Sequence, residues 1–300
     1  MSEAGRASDR CADASLAAGE QLGATAVVAE SWLVLEVPGA WPRDVGDGAA
    51  LPAGAREVVS AWLSIARRPR LQFVRRPKRS GGRLLAFLVR SREQESEVRR
   101  IELGALDELA RLDLRSAGEV VDQSLVLVCG HGSRDRCCAT RGTEVFELLD
   151  ERLAEEELWI SSHLGGHRFA PNLLVLPSGL QFGRVSRDDA LFLTARALAG
   201  RIDVETYRGR TCYERAVQAA ELAVRREARL EGIAELALEA VEEHVITFAT
   251  FAGSEYTVVV EEVQGPAVPA SCGADPERQT HFAAASVTLN PGRAAGVPRP

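Results

Sequence analysis

Cys129-Gly-His-Gly-Ser-Arg-Asp-Arg-Cys-Cys138 ends the apolar run Ser124-Leu-Val-Leu-Val-Cys129, and His163-Leu-Gly-Gly-His167 ends Leu158-Trp-Ile-Ser-Ser162. Short continuous apolar runs stopped by glycine read as buried strands. Between them, residues 140–154 (TRGTEVFELLDERLA) read as a helix, so the order is strand, helix, strand. A right-handed crossover makes the two strands parallel neighbours and brings Cys129 and His163 to the same edge of the sheet. That edge is where open α/β sheets usually place ligands. Three of the five histidines and three of the six cysteines fall in these two loops, a pattern that packing alone does not need. They read as two halves of one metal site.

Outward from this core, Asn172–Leu176 and Leu180–Val185 flank Pro177-Ser-Gly179 as a hairpin, and Asp188-Asp189 opens a helix to about residue 199. Pro171, just before a strand, is placed as a cis proline. Strand, helix, strand, hairpin, helix is a reduced thioredoxin-like core. Upstream, Ser31–Val37, a helix at 55–66 and strands at 71–74, 84–89 and 98–103, with a turn at 78–82, form a similar series without ligands. Leu33–Asp44 matches Leu125–Asp135 with one residue shifted. An old duplication explains the match, as does chance similarity between apolar strands followed by glycine loops.

Downstream, Tyr207–Cys212 leads into an amphipathic helix at 213–230, with a further helix to 243. Strands follow near 244–251, 256–263 and 285–289. The expected division is a flexible leader at 1–24, an N-terminal α/β unit at 25–118, a thioredoxin-like cluster-binding unit at 119–205, a helix and β-hairpin unit at 206–290, and a disordered tail at 291–300. The fold class is α/β: a thioredoxin-like ferredoxin core, preceded by a degenerate thioredoxin-like copy and followed by a small α+β C-terminal unit.

A net charge of −7 argues against nucleic acid or an anionic membrane as the main partner. There is no eighteen-residue apolar run, and Met1–Gln21 has no apolar signal-peptide core, so the expected location is cytoplasmic. Six cysteines are reduced there, and clustered cysteine points to metal or redox chemistry before structural disulfides.

Cys-x8-Cys followed by His-x3-His offers two thiolates and two imidazoles. A closed tetrahedral zinc site uses four such ligands. The long glycine-containing loop suits a larger object, a 2Fe-2S cluster, whose potential rises when imidazoles replace thiolates.

At these residues the chain resembles the sucrase/ferredoxin-like family, which includes thioredoxin-like 2Fe-2S proteins with bis-histidinyl ligation. The resemblance rests on the cysteine loop, on Ser162–Leu176 with Gly183-Arg-Val185, and more weakly on Tyr207–Cys212 and Ser271-Cys-Gly273. It spans about residues 25–290. It implies Cys129, Cys138, His163 and His167 as ligands of a 2Fe-2S cluster. Beside them, His131, Cys137, Arg134 and Arg168 read as residues surrounding the cluster, or as a buried thiol and ordinary loop residues.

The function expected from this is single-electron transfer, coupled to protons, with an unidentified reductase and acceptor as protein partners. That describes an electron carrier more than an enzyme. Sucrase activity is not expected, because no paired carboxylates stand in a glycosidase setting. Two other readings fit the same residues. One is a dithiol oxidoreductase using Cys129, Cys137 and Cys138, and the other is a zinc-stabilised binding module.

Overall fold

A computed structural model describes residues 10–77 and 82–290. Most of the expected turn at 78–82, the first nine residues of the leader and the tail at 291–300 lie outside them. Residues expected in the leader form helix α1 (Cys11–Ala17), with Cys11, Ala12 and Ser15 buried. The apolar runs then pair as β1 (Ser31–Glu36) and β2 (Pro69–Arg75), parallel strands joined through α2 (Ala53–Ile65). Helix α2 buries Ala55, Val59 and Trp62 on one face and stops where Ala66 turns to extended backbone. β3 (Leu84–Ser91) lies antiparallel on the other side of β1, followed by β4 (Ser96–Leu103) and the short β5 (Glu119–Val121).

The pattern repeats. β6 (Leu125–Cys129) passes through α3 (Arg136–Asp150) to β7 (Leu158–Ser161), with Cys129 opposite Ser161 in parallel register. β8 (Leu173–Leu176) runs antiparallel to β6, and β9 (Leu180–Phe182), α4 (Ala190–Leu198) and β10 (Tyr207–Arg210) follow. The sheet order is β10-β9-β8-β6-β7-β2-β1-β3-β4-β5. Each half therefore has the same internal order, β7-β6-β8-β9 and β2-β1-β3-β4. One ten-stranded sheet runs through the two units drawn from the sequence. The halves join by β2 and β7 over only Val74↔Ser161 and Arg75↔Ile160, at the C-terminal ends of both strands. Loops leaving β1 and β6 consequently meet.

Helix α3 begins four residues earlier than expected. Asp135, in extended conformation, caps it by accepting from the Cys137 amide at 2.7 Å. A capped helix start satisfies a donor that is otherwise orphaned, a contribution of about 1 kcal/mol. Cys137 and Cys138 therefore sit in the first helical turn.

Helix α5 (Arg215–Ala228) packs on a second, antiparallel sheet of β11 (Leu236–Glu242), β12 (Val245–Thr250), β13 (Glu255–Pro269) and β14 (Pro276–Asn290). Val217, Ala220 and Val224 of the helix share a core with Ile246, Phe248, Val258 and Val260. The helix expected to run on to 243 is corrected: Arg229 ends α5 in left-handed conformation, and 236–242 pair with β12. The architecture is mixed α/β, with a large sheet and a small one. Among the described residues, no helix is long and apolar enough to cross a membrane.

Candidate metal centre

Cys129 is the last residue of β6, Cys138 lies in the first turn of α3, and His163 follows β7. Their donor atoms all lie within 4.8 Å of one another. Both cysteines are buried. This closeness depends on Gly142, one turn beyond Cys138, because a Cβ there would stand 1.9 Å from the Cys129 carbonyl oxygen. Without a side chain the helix can rest directly on the strand end. The Cys138 thiol, with His163 nearby, holds Cys129 well below the usual thiol range, and the same contact pushes Cys138 up.

His163 and His167 are brought together by Gly165 and Gly166, both at positive φ, which closes the loop in two residues. Their Nδ1 atoms are 3.3 Å apart and their rings stack with centroids at 4.2 Å. Burial, with His163 beside it, pushes His167 down to about 4, so this imidazole is neutral at pH 7. Neutral imidazole is the ligating form. Cys129, Cys138 and His163 make the tight set, and His167 reaches it by stacking on His163. The Ala170–Pro171 peptide is cis, as expected from the sequence.

The neighbouring residues divide clearly. His131 uses both ring nitrogens on backbone: Nε2–H donates to the Pro42 carbonyl at 2.9 Å and Nδ1 accepts from the His163 amide at 3.2 Å. It positions His163 and has no free lone pair for a metal. Arg134 pairs with Asp44 at 3.7 Å, and Arg168 with buried Glu20 at 2.7 Å. Arg184 donates to the Ser15 hydroxyl and the Glu20 carbonyl. Cys137 points away from Cys138, toward Cys11 and Cys272. Cys212 packs with Tyr213 and Val217 in the C-terminal core.

The sequence reading missed what fixes the histidine loop. Five consecutive carbonyls each accept from a side chain: Ser162 from Gln72 at 2.6 Å, His163 from Arg70 at 2.8 Å, Leu164 from Gln181 at 2.8 Å, Gly165 from Arg208 at 2.8 Å and Gly166 from Asn172 at 3.0 Å. Gln72, Gln181, Asn172 and Arg208 are buried. The available signal was the glutamine in each of two apolar strands, Leu71-Gln-Phe-Val74 and Leu180-Gln-Phe182, because buried amides are retained where they find partners. A cleft of ≈ 430 Å³, lined in part by Arg43, Arg70, His131, Arg134 and His163, opens onto this loop.

Cys129, Cys138 and His163 fit a metal as they stand, and His167 is tied to the group through His163. Metal–nitrogen bonds of about 2.0–2.1 Å place two imidazole nitrogens about 3.3 Å apart on one tetrahedral edge. His163 and His167 hold theirs at 3.3 Å. Cys129 and Cys138 beside them supply soft sulfur donors, which select zinc, copper(I) or iron–sulfur centres over hard cations.

The chain is similar to several curated proteins named Altered inheritance of mitochondria protein 32. It is 42% identical to that of Eremothecium gossypii over 59 residues, 19% of each chain. It is 33% identical to that of Saccharomyces cerevisiae over 108 residues, 32% of this chain and 35% of the relative. With the Clavispora lusitaniae protein it shares 31% over 99 residues, 30% and 36% of the two chains. The chain thus spans between about a fifth and a little over a third of the length of these relatives. No solved structure matches it.

These names correct the expected function. The relatives are called Altered inheritance of mitochondria protein 32, not ferredoxins or iron–sulfur electron carriers, and the electron-transfer assignment is withdrawn. The family model described as sucrase/ferredoxin-like matches residues 22–209, more than half of the chain and both ligand loops, and the chain belongs to that family.

Proposed function

We propose that this protein binds a transition-metal centre through Cys129, Cys138, His163 and His167. The observation that carries the proposal is the convergence of two buried sulfurs and an imidazole within 4.8 Å, with a second imidazole stacked on the first. The clamp on five loop carbonyls supports it, since a metal site needs ligands held before the metal arrives. The β7-β6-β8-β9 order, with α3 crossing between β6 and β7, supports a thioredoxin-like core as the scaffold.

A 2Fe-2S cluster and a single zinc ion are the two occupants this donor set accepts, and a bound centre would tie the two strand-end loops to the start of α3. Six free cysteines fit a thiol-reducing location, and a cytoplasmic one is part of the proposal.

The test is metal analysis of the full chain purified without oxygen. Iron, acid-labile sulfide and zinc are counted for the wild type, Cys129→Ser, Cys138→Ser, His163→Ala and His131→Ala. One metal centre per chain should be lost in the first three variants and retained in His131→Ala. A wild type that holds no metal after anaerobic reconstitution, or ligand variants that keep the full content, would refute the proposal. Iron with equal sulfide that is lost in these three variants identifies a cluster, and a zinc ion lost in them identifies a single ion.

A further inference from the structure

Cys137 and Cys138 are successive residues of one helical turn, so their side chains leave the helix about 100° apart. Cys138 turns to Cys129, whereas Cys137 turns to a second group of sulfurs. Its Sγ is 3.4 Å from Cys272 Sγ and 3.7 Å from Cys11 Sγ, and Cys11 and Cys272 are themselves 3.7 Å apart. Asp135 completes the group, its Oδ1 lying 3.7 Å from Cys11 Sγ and 3.3 Å from Cys272 Sγ. All four donor atoms lie within 4.8 Å of one another, and Cys11, Asp135 and Cys137 are buried.

These lengths are those of a coordination shell. Zinc–sulfur bonds of about 2.3 Å at tetrahedral angles give sulfur–sulfur edges of about 3.8 Å, and a carboxylate oxygen at about 2.0 Å gives sulfur–oxygen edges of about 3.5 Å. The Asp135 carboxylate is aimed by two backbone amides, from Cys137 at 2.7 Å and from Cys272 at 2.8 Å. Ligands oriented by outer hydrogen bonds in this way are the usual companions of a bound metal.

We propose that Cys11, Cys137, Cys272 and Asp135 form a structural zinc site, separate from the centre at Cys129. Its ligands come from α1, the start of α3 and the turn between β13 and β14, and all four positions are filled by protein. That closed shell is the mark of a structural site. Cys11 and Cys272 lie outside residues 22–209, so the site joins both flanks of the chain to the family core. Zinc binding displaces the thiol protons and cross-links segments 126 and 135 residues from Cys137.

The test uses the reduced full chain with zinc, and cobalt(II) as a spectroscopic substitute. Wild type and Cys129→Ser should each hold a zinc ion that Cys11→Ser and Cys272→Ser bind at least ~100-fold more weakly, more than the loss of an outer-shell partner causes. Cys272 lies in a part-exposed turn, so circular dichroism of Cys272→Ser separates lost metal from lost fold. Cobalt should give the visible bands of a tetrahedral ion, with sulfur charge-transfer intensity falling by about a third in a single-thiol variant. Asp135→Asn keeps a capping oxygen and should weaken zinc by about 10–100-fold.

The proposal is overturned if Cys11→Ser and Cys272→Ser hold zinc as the wild type does. It is equally overturned if the reduced wild type takes up neither ion at this site, or if the chain is isolated as a metal-free Cys137–Cys272 disulfide. The first outcomes leave the Cys129 centre untouched, because that centre is read from Cys129→Ser and His163→Ala.

Discussion

Replacing Gly142 by alanine sets two known effects against each other. In an unencumbered helix interior, alanine is better than glycine by about 0.8–1.0 kcal/mol. Here the new methyl would stand 1.9 Å from the Cys129 carbonyl oxygen and 2.9 Å from its carbon. Both are backbone atoms in the end of a paired strand, and no rotamer change removes them. Even a contact of 3.0 Å requires α3 and β6 to separate by about 1.1 Å. Overpacking of this kind costs about 1–3 kcal/mol, and the value here lies toward the upper end because neither partner can turn aside. The expected net loss is about 1–2 kcal/mol, read as a lower urea midpoint at unchanged slope. The same displacement moves Cys138 away from Cys129, so the variant should also hold less metal at the first centre. Gly54→Ala in α2 is the comparison: its methyl meets only the Ala110 side chain, at 3.0 Å, and the loss should be smaller. A Gly142→Ala protein as stable as wild type and fully metal-loaded would refute the reasoning that glycine sets the helix–strand distance.

Three further outcomes follow from buried polar groups. Gln181→Leu leaves both the Val27 amide and the Leu164 carbonyl unpartnered, and should cost about 2–4 kcal/mol by urea unfolding; a change within about 0.5 kcal/mol would show that the amide is not holding the loop. Arg208, its charged form disfavoured by burial and its pKa pushed down to about 9, donates to Gly165, Asn172 and Thr25. Arg208→Met should destabilise by about 2–4 kcal/mol and Arg208→Lys should not restore it, since one ammonium cannot replace the guanidinium fork; full rescue by lysine would contradict this. For Glu20, burial pushes the carboxyl up, but neighbouring His281, Ser15 and Arg168 outweigh it and hold the group below its ordinary value of 4.5. A depressed carboxyl contributes stability above its unfolded pKa and loses it as pH falls through the folded value. Glu20→Gln should therefore be about 1–2 kcal/mol less stable near pH 7, with the gap from wild type closing below pH 4.5; a gap independent of pH would rule out the carboxylate as its source.

β1, β6, β8 and β9 were legible because each is a short apolar run, almost wholly buried, with glycine or proline close after it; β5 (Glu119–Val121) and β10 (Tyr207–Arg210) lack such a run and were not. The four residues of the proposed centre stood out because cysteines and histidines gather in two glycine-containing loops. Other features needed the third dimension. Leu236-Ala-Leu-Glu-Ala-Val-Glu242 is made of good helix formers, and its pairing with β12 overrides that propensity. Cys11 and Cys272 sit far along the chain from Cys137 and belong to stretches that look like a leader and a hairpin turn. The clamp on the histidine loop draws Gln72, Asn172, Gln181 and Arg208 from four strands or strand ends, and no local pattern links them. Asp135 could have been read, because an aspartate two residues before the vicinal cysteines is a helix cap by residue type.

The half built on β1–β5 supplies none of the four residues of the proposed centre at Cys129, yet its loop after β1 packs against that site. Trp41 donates from Nε1 to the Val37 carbonyl at 2.8 Å, and Arg75 stacks over its ring at 4.5 Å, which fixes the indole. The edge of that indole meets His131 with centroids 5.7 Å apart, the Pro42 carbonyl accepts from His131, and the Trp41 carbonyl accepts from Ser133 at 2.7 Å. Asp44 closes the contact with Arg134. His131 in turn accepts from the His163 amide, so the loop of one half orients His163 of the other through a single imidazole. The contact exists because β2 and β7 overlap only at their C-terminal ends, which turns the loops after β1 and β6 toward each other. The first half therefore keeps a positioning role toward His163, and the sheet junction, more than either half alone, determines where His163 stands.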